Sequence, residues 1–197
     1  MIVRGACAAL LVLALTTPAG AHKLVEPGSP EKVADGAFRA TSGTTWNRLQ
    51  QSEGKYQEVW TIDGHKLNRL AFYGGVPAGK PLVKERDKKR DPLPKVTESM
   101  LLPDVPNLVE RTYRTQYDIP IFNIGKQEPA TLGGKEGIRF EYTYVDPGDE
   151  VERRGEAYAA IEGGKLYLVT FEAPSLHYFA RDAAEVRSIV KSVTLRP

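Results

Sequence analysis

The sequence predicts an α+β domain in which helices cover an antiparallel sheet. Three observations carry this prediction. Three strand-like runs, separated by turns rich in Gly and Pro, lie between Gly137 and Pro174. A helical pattern follows them directly, and a second amphipathic segment covers Asp104–Tyr117. Together these patterns predict a three-stranded C-terminal meander followed by a helix.

Residues 1–21 have the pattern of a signal peptide. Arg4 precedes an apolar stretch at Ala6–Leu15, and small residues at Ala19-Gly20-Ala21 form a cleavage site. The alternative is a retained anchor, but the apolar stretch is much shorter than the ~20 residues that a membrane-spanning helix needs. We therefore expect cleavage after Ala21 and a periplasmic or secreted protein. Cys7 precedes most of the apolar stretch, so lipidation there is not expected.

Cleavage after Ala21 leaves a linker or tail at residues 22–30 and a single domain at residues 31–197. The full sequence has one cysteine, Cys7, so the mature chain has no disulfide and no thiol nucleophile. It has 27 Lys and Arg, one of which is Arg4, against 25 Asp and Glu. This balance argues against nucleic acid as a partner, because nucleic-acid binding needs a clustered basic face.

The N-terminal half predicts one short strand, one turn and one hairpin. The strand lies around Ala37–Thr41, and a turn at Thr44–Arg48 holds Trp46, which is expected in the core more readily than on a ligand. The hairpin pairs Tyr56–Ile62 with His65–Tyr73 around Asp63-Gly64, a dipeptide typical of two-residue turns.

The segment Val76–Pro103 has little secondary-structure signal, and its charge is concentrated in Lys80–Lys95. There, seven basic residues accompany three acidic ones. This run has two interpretations: a patch for an acidic partner or for weak contact with anionic lipid headgroups, and a solvated, mobile loop. The candidate contacts within it are Lys84, Lys88, Lys89 and Arg90.

The second half predicts the remaining elements. Asp104 is a candidate helix cap, with Pro106 in the first turn, and short strands are expected at Phe122–Gly125 and Ala130–Leu132. The predicted helical signal at Ser175–Lys191 contains an Asp-x-x-Glu start at Asp182. The predicted meander strands and the closing edge strand are Ile138–Val145, Val151–Ile161, Leu166–Phe171 and Ser192–Leu195.

Catalytic and metal-binding patterns are weak. The histidines are His22, His65 and His177, and their spacing matches no metal motif. Ser175 lies two residues before His177, but no nucleophile-elbow sequence is present, so a hydrolase is a minor alternative. No phosphate-binding glycine motif is present either, and we expect no cofactor.

The predicted second meander strand is highly charged. It contains Glu150, Glu152 and Glu156 together with Arg153 and Arg154. Carboxylates two residues apart share a strand face and could serve acid–base or calcium chemistry. The favoured interpretation is ion pairing across strands at the solvent surface, with Arg139 and Glu141 as partners.

Several stretches resemble known proteins. The order of strand, Trp turn, hairpin, long loop, helix, meander and helix is similar to the α/β/α sandwich of PsbP-like proteins. The stretches Glu58–Gly64, Asn68–Gly75, Asp91–Pro94, Met100–Pro103, Phe171–Pro174 and His177–Phe179 resemble an uncharacterised family of exported or lipid-anchored bacterial proteins. The resemblance implies an extracytoplasmic, non-catalytic domain that binds or helps assemble a protein or envelope component.

Two further functions stay open beside this one: a hydrolase at Ser175 and His177, and a carrier of a small ligand or lipid. The carrier would use an aromatic cleft formed by Trp60, Tyr73, Tyr142, Tyr144, Tyr158 and Tyr178. The candidate contact residues for a partner or ligand are Trp46, Trp60, Tyr73, Lys84, Lys88, Lys89, Arg90, His177 and Tyr178.

Overall fold

A computed structural model describes residues 23–148 and 150–196. The signal peptide expected at residues 1–21 lies outside these described residues. The elements are β1 (Lys23–Val25), β2 (Glu31–Val33), β3 (Phe38–Ala40), β4 (Trp46–Arg48), β5 (Gln57–Thr61), β6 (Arg69–Pro77), a 3₁₀ turn (Leu102–Asp104), α1 (Val105–Gln116), β7 (Phe122–Leu132), β8 (Lys135–Val145), β9 (Glu152–Glu162), β10 (Lys165–Pro174), α2 (Tyr178–Ser192) and β11 (Thr194–Leu195).

The described strands form one sheet of eight and one of three. The large sheet has the order β1-β4-β5-β6-β10-β9-β8-β7, and the small sheet has the order β11-β3-β2. All neighbouring strands are antiparallel. The broad α+β prediction is therefore confirmed.

Each face of the large sheet carries one helix. On one face, Leu108, Val109 and Tyr113 of α1 pack against a cluster that includes Phe140 and Leu168. We call this the α1 face. In the strands, the residues adjacent in sequence to those of this cluster point to the opposite face of the sheet, because side chains alternate between the faces of a strand.

On the opposite side, which we call the α2 face, Phe179, Val186 and Ile189 of α2 belong to a second cluster with Val169 and Phe171. Strand β10 lies between β6 and β9 and is buried on both sides. Leu166 and Leu168 on one face and Tyr167, Val169 and Phe171 on the other are apolar, as a strand covered on both sides requires.

The N-terminal segment differs from the sequence prediction in two ways. The stretch 22–30, predicted as a linker or tail, contributes β1, and the turn predicted around Trp46 is strand β4. Val25 pairs with Trp46 across the two strands, and both side chains are fully buried. Burial of two large apolar side chains against each other outweighs the turn-forming tendency of this polar, Pro-rich region.

Strand β7 is continuous, although the sequence predicted two short strands at Phe122–Gly125 and Ala130–Leu132. Its register with β8 shifts between Ile124 and Gln127. The sequence signal was interrupted by Pro129, which an edge strand tolerates because one side of its backbone needs no partner.

Helix α1 begins one residue after the predicted cap. Asp104 ends the 3₁₀ turn, and its carboxylate accepts the backbone N–H of Leu101 at 2.9 Å instead of capping α1. Pro106 occupies the first turn of α1, where its missing N–H costs no hydrogen bond.

Helix α2 begins at Tyr178, upstream of the start predicted at Asp182. His177 has φ 69° and ψ −68°, and the N–H of Tyr178 donates to the carbonyl of Leu176 at 2.9 Å. These angles and this bond define a classic γ-turn, a strained conformation. Asp182 is instead buried within the helix and accepts a hydrogen bond from Asn68 Nδ2 at 3.0 Å.

The long connection between β6 and α1 is attached to the α1 face. Leu82, Val83, Leu93 and Val96 are buried in its hydrophobic cluster. The charged residues of Lys80–Lys95 lie between these anchors, so the segment presents its charges from fixed positions.

Candidate functional site

The loop between β4 and β5 lies on the α1 face beside a series of cavities. We call residues Leu49–Tyr56 the Glu53 loop. Glu53 lines three cavities of about 530, 600 and 210 Å³. We call the surface that these cavities form around Glu53 the groove.

The floor of the groove is an ion pair buried between two central strands. Arg69 of β6 lies opposite Glu172 of β10 in the sheet register. The Arg69 Nη1–Glu172 Oε1 distance is 3.1 Å, and the two side chains are only 9% and 6% exposed. Such a pair is costly to desolvate, so it needs further hydrogen bonds.

Two tyrosines supply those bonds. The hydroxyls of Tyr113 and Tyr142 donate to Glu172 Oε2 at 2.6 and 3.2 Å. Tyr113 comes from α1 and Tyr142 from β8, so the cluster joins the helix to the sheet. Both carboxylate oxygens of Glu172 are thereby occupied.

Glu53 covers this cluster at the mouth of the groove. Its Oε2 atom accepts from Arg69 Nη2 at 2.8 Å, from the Tyr117 hydroxyl at 2.6 Å and from Gln57 Nε2 at 3.5 Å. Its side chain is 46% exposed, whereas Arg69 beneath it is buried. Glu53 is therefore the solvent-facing member of the network.

Burial and charge fix the protonation states. Burial raises the pKa of Tyr113 and Tyr142 well above the ordinary value, and the Glu172 carboxylate raises it further. Burial also raises the pKa of Tyr117. The tyrosines consequently remain protonated donors.

The pKa of Glu53 moves the other way. Burial opposes its ionisation, but the charge of Arg69 and the hydrogen bonds from Tyr117, Gln57 and Arg69 outweigh that effect, and the net pKa is lowered. Glu53 is an acceptor at neutral pH, and the arrangement is suited to holding carboxylates.

Basic side chains surround the groove on both sides of Glu53. Lys55, Lys80 and Lys84 line the 530 Å³ cavity. Lys66 and Arg153 line the 210 Å³ cavity, whose acidic lining residues are Glu53, Asp146 and Glu172. The rim therefore carries more positive than negative charge.

The predicted aromatic contact residues lie in the core. Trp46 and Trp60 are fully buried, and Tyr73 is 2% exposed. The Trp60 Nε1–H donates to Glu58 Oε1 at 2.7 Å, and Gln57 Nε2 donates to the Tyr73 hydroxyl at 3.2 Å. These side chains support the fold and are inaccessible to a partner.

The predicted basic contacts are at the surface. Lys84 lines the groove, and Lys88, Lys89 and Arg90 are exposed further along the same segment. Arg90 Nε pairs with Asp87 Oδ2 at 2.7 Å.

His177 and Tyr178 lie at the start of α2. Tyr178 packs against the α2-face cluster. Its ring meets that of His177 edge-on at 5.1 Å, and the guanidinium of Arg181 lies 4.9 Å from its centroid. These two residues therefore do not join Lys84 in one site.

The alternative chemistries find little geometric support. The Ser175 hydroxyl is buried and, among the described residues, has no hydrogen-bond partner, so His177 does not activate it. Within residues 23–148 and 150–196, no group of three or more His, Cys, Asp or Glu is positioned to hold a metal ion.

The aromatic residues proposed for a carrier cleft are divided between the two faces. Tyr73, Tyr142 and Tyr144 belong to the α1 face, whereas Trp60 and Tyr158 belong to the α2 face. The 210 Å³ cavity contains Tyr144 alone of the six. They do not form a common cleft.

The charged strand β9 forms ion pairs across the sheet. Arg139 contacts both Glu156 and Glu141 at 2.7 Å, and Arg154 contacts Glu141 at 2.9 Å. The predicted ion pairs were expected at the solvent surface, but Glu156 is buried. Its carboxylate also forms an ion pair with Arg187 of α2 at 2.7 Å. Burial opposes its ionisation, but the hydrogen bonds from Arg187 and Arg139 dominate and lower its pKa to about 2.

The sequence reasoning missed Glu53, Arg69, Tyr113 and Glu172 as a group. One signal was present: Arg69 occupies the same alternation phase as Leu67, Ala71 and Tyr73, which places a charge on a buried face. A charge in that phase needs a buried partner.

Comparison with solved structures identifies the fold of the chain. The solution structure of cyanobacterial PsbP (CyanoP) from Synechocystis sp. PCC 6803 superposes with a TM-score of 0.57 at 14% identity, covering 93% of this chain and 99% of that one. The chain has a PsbP-like fold.

A crystal structure from Bacteroides thetaiotaomicron VPI-5482 is also similar to this PsbP-like chain, with a TM-score of 0.51 at 8% identity over 88% of the chain. The chain spans 50% of the length of that protein. No family model and no curated protein matches the sequence. Neither described helix has the length and apolar character needed to span a membrane.

Proposed function

We propose that this protein is an exported, non-catalytic accessory domain that binds an acidic segment of a cell-envelope protein in the groove. The observation that carries the proposal is the convergence of three cavities on Glu53, with cations along the rim and an ion pair beneath. Export is supported by the signal-peptide pattern of residues 1–21.

The hydrogen bonding of the floor favours binding over catalysis. Both oxygens of Glu172 accept hydrogen bonds, and the tyrosines that donate to it have raised pKa values. A general base would need an acceptor directed at a substrate, and a nucleophile would need a base beside it. The cluster instead offers a rigid, polar surface.

The charge of the rim favours an acidic partner. Lys55, Lys80 and Lys84 line the 530 Å³ cavity and are exposed, whereas Arg86 of the neighbouring segment pairs with Asp118 at 2.6 and 3.0 Å. A surface of this sign accelerates encounter with an acidic partner and weakens with salt. A peptide segment suits the groove better than a bilayer, because a flat surface does not reach Arg69 at its floor.

A photo-cross-linking residue placed at Lys84 in living cells tests the proposal, with Lys191 on α2 as the matched control position. We expect a discrete protein adduct from position 84 alone. Charge removal by Lys55→Gln and Lys80→Gln, which both line the 530 Å³ cavity, should reduce its yield several-fold.

Adducts of equal yield from both positions, or no adduct from position 84, would overturn the proposal. So would binding of the purified protein to phosphatidylglycerol vesicles with no measurable affinity for a hexaglutamate peptide. That result would favour a membrane surface as the partner.

A further inference from the structure

We propose that Arg69, Tyr117 and Gln57 form a carboxylate-binding site which Glu53 occupies in the free protein, and which an acidic side chain of the partner takes over on binding. This inference rests on the proposed function for the identity of the partner. The site itself rests on the geometry around Glu53 alone.

Three hydrogen-bond donors converge on the carboxylate of Glu53. Arg69 Nη2, the Tyr117 hydroxyl and Gln57 Nε2 all point to one oxygen of Glu53, at 2.8, 2.6 and 3.5 Å. They come from β6, the C-terminal end of α1 and the start of β5, so three separate parts of the fold position them. The bonds from Arg69 and Tyr117 are short and charge-assisted, and such bonds are strong. The longer contact from Gln57 is a weaker contribution.

The donors Arg69 and Gln57 are buried in the domain, whereas the acceptor Glu53 lies on a loop. Arg69 is held by Glu172, and the ring of Tyr117 packs edge-on against Tyr113 at 5.2 Å. Glu53 is 46% exposed and is flanked by cavities on several sides. Withdrawal of Glu53 therefore leaves its three donors in place.

The charged residues that line the 210 Å³ cavity also favour an anion. With Glu53 withdrawn, the 210 Å³ cavity is lined by Lys66, Arg69 and Arg153 against Asp146 and Glu172. This balance favours an incoming anion over a neutral group. Because Arg69 Nη1 already binds Glu172, the guanidinium offers Nη2 to one oxygen, which suits a single carboxylate of an Asp or Glu side chain.

Chemical rescue tests the site without a partner. In the variant Glu53→Ala the carboxylate is gone, and we expect sodium acetate to raise the melting temperature saturably, relative to sodium chloride at equal ionic strength. Wild type should show no such rise, because Glu53 already fills the site. The matched control Glu98→Ala removes an exposed glutamate elsewhere and should behave as wild type.

A second variant separates this site from a general effect of acetate. Tyr117→Phe, combined with Glu53→Ala, keeps the aromatic packing and removes one donor, and the acetate concentration at half-effect should rise about five- to tenfold. Equal acetate responses in wild type and Glu53→Ala, or no response in either, would overturn the inference.

Competition by Glu53 predicts the effect on affinity. If the loop fills the site in about nine molecules out of ten, Glu53→Ala should bind a hexaglutamate peptide about tenfold more tightly than wild type. Glu53→Gln, which keeps the shape without the charge, should lie between them. Titration calorimetry measures both, and weaker binding by Glu53→Ala would contradict the competition.

The two proposals fail in different ways. Acetate rescue of Glu53→Ala without any hexaglutamate binding would leave the site standing and remove the acidic partner. Peptide binding that depends on Lys55 and Lys80 but not on Glu53 would support the groove and contradict the carboxylate site.

Discussion

The two faces of the large sheet bury similar amounts of chain in different ways. On the α2 face, Phe72, Val169 and Phe171 meet Phe179 and Ile189, and the buried carboxylates Glu156 and Asp182 pair with Arg187 and Arg181 of the helix itself. The α1 face encloses Arg69, Glu172 and their tyrosine partners under a loop with cavities beside it. Replacement of a buried charge pair by apolar residues of similar volume is often neutral or stabilising, so stability alone does not account for the Arg69–Glu172 pair.

The difference assigns different roles to the faces. Close packing on the α2 face supplies stability, because dispersion and hydrophobic burial both increase with packing density. On the α1 face, the buried charge pair and the cavities beside it contribute less to stability than close apolar packing would, but they form a polar, preorganised groove. Substitutions that alter one face and spare the other test this division.

The largest expected effect is on the α1 face. Arg69→Met leaves Glu172 buried without its cation, and we expect a loss of about 3–5 kcal/mol in the free energy of unfolding, measured with urea. Adding Glu172→Leu should recover part of the loss, because the uncompensated charge is removed. Ile189→Ala on the α2 face is the comparison: it should cost about 2–5 kcal/mol through a cavity and leave hexaglutamate binding unchanged. Additive losses for Arg69 and Glu172 would contradict a coupled pair.

A smaller effect is expected at Glu156, which is buried beneath Arg187 on the α2 face. The pKa of Glu156 is about 2 in the folded protein, below its ordinary value of 4.5. Its contribution to stability is therefore complete above pH 4.5 and is lost as the pH falls towards 2. Glu156→Gln should cost about 1–3 kcal/mol at neutral pH. The two unfolding curves should converge below the folded pKa, and a constant difference across the acid range would contradict this account.

The smallest effect concerns the γ-turn before α2. His177→Gly should stabilise the protein by about 1 kcal/mol, because glycine adopts a positive φ without the steric cost that a side chain carries. His177→Ala removes the same imidazole but keeps a Cβ, so the difference between the two variants in thermal unfolding isolates the backbone. A less stable glycine variant would show that the imidazole contact with Tyr178 matters more than the turn.

Local patterns in the sequence predicted much of the fold. The strand patterns of β8, β9 and β10 and the helical pattern of α1 each depend on neighbours in the chain, and the observed elements overlap the predicted ones. The two-residue turn predicted at Asp63-Gly64 was wrong, because β5 ends at Thr61 and β6 begins only at Arg69. The longer connection is held by the Asn68 side chain, whose Oδ1 accepts from the backbone N–H groups of Ile62 and Asp63 at 2.7 and 3.1 Å. The core position expected for Trp46 is confirmed, but the turn predicted around it and the linker or tail predicted at residues 22–30 were wrong. Strands β1 and β4 are only three residues long, and they depend on pairing with each other and with β5 and on burial of Val25 and Trp46.

The groove could not be predicted in the same way. Arg69 and Glu172 are 103 residues apart in sequence, and only the register of β6 against β10 brings them together. Glu53 reaches Arg69 from a loop without regular structure. The alternation phase of Arg69 indicated that it needed a buried partner, but it did not identify one.

The central position of β10 has a consequence for how the chain acquires its structure. Its partners are β6, formed early in the sequence, and β9, formed just before it. Strands β4, β5 and β6 are synthesised long before β10, so one edge of β6 lacks a partner strand until β10 is also available. Closure over such a sequence separation slows folding, and a chaperone that shields the edge of β6 would have most to protect in this interval.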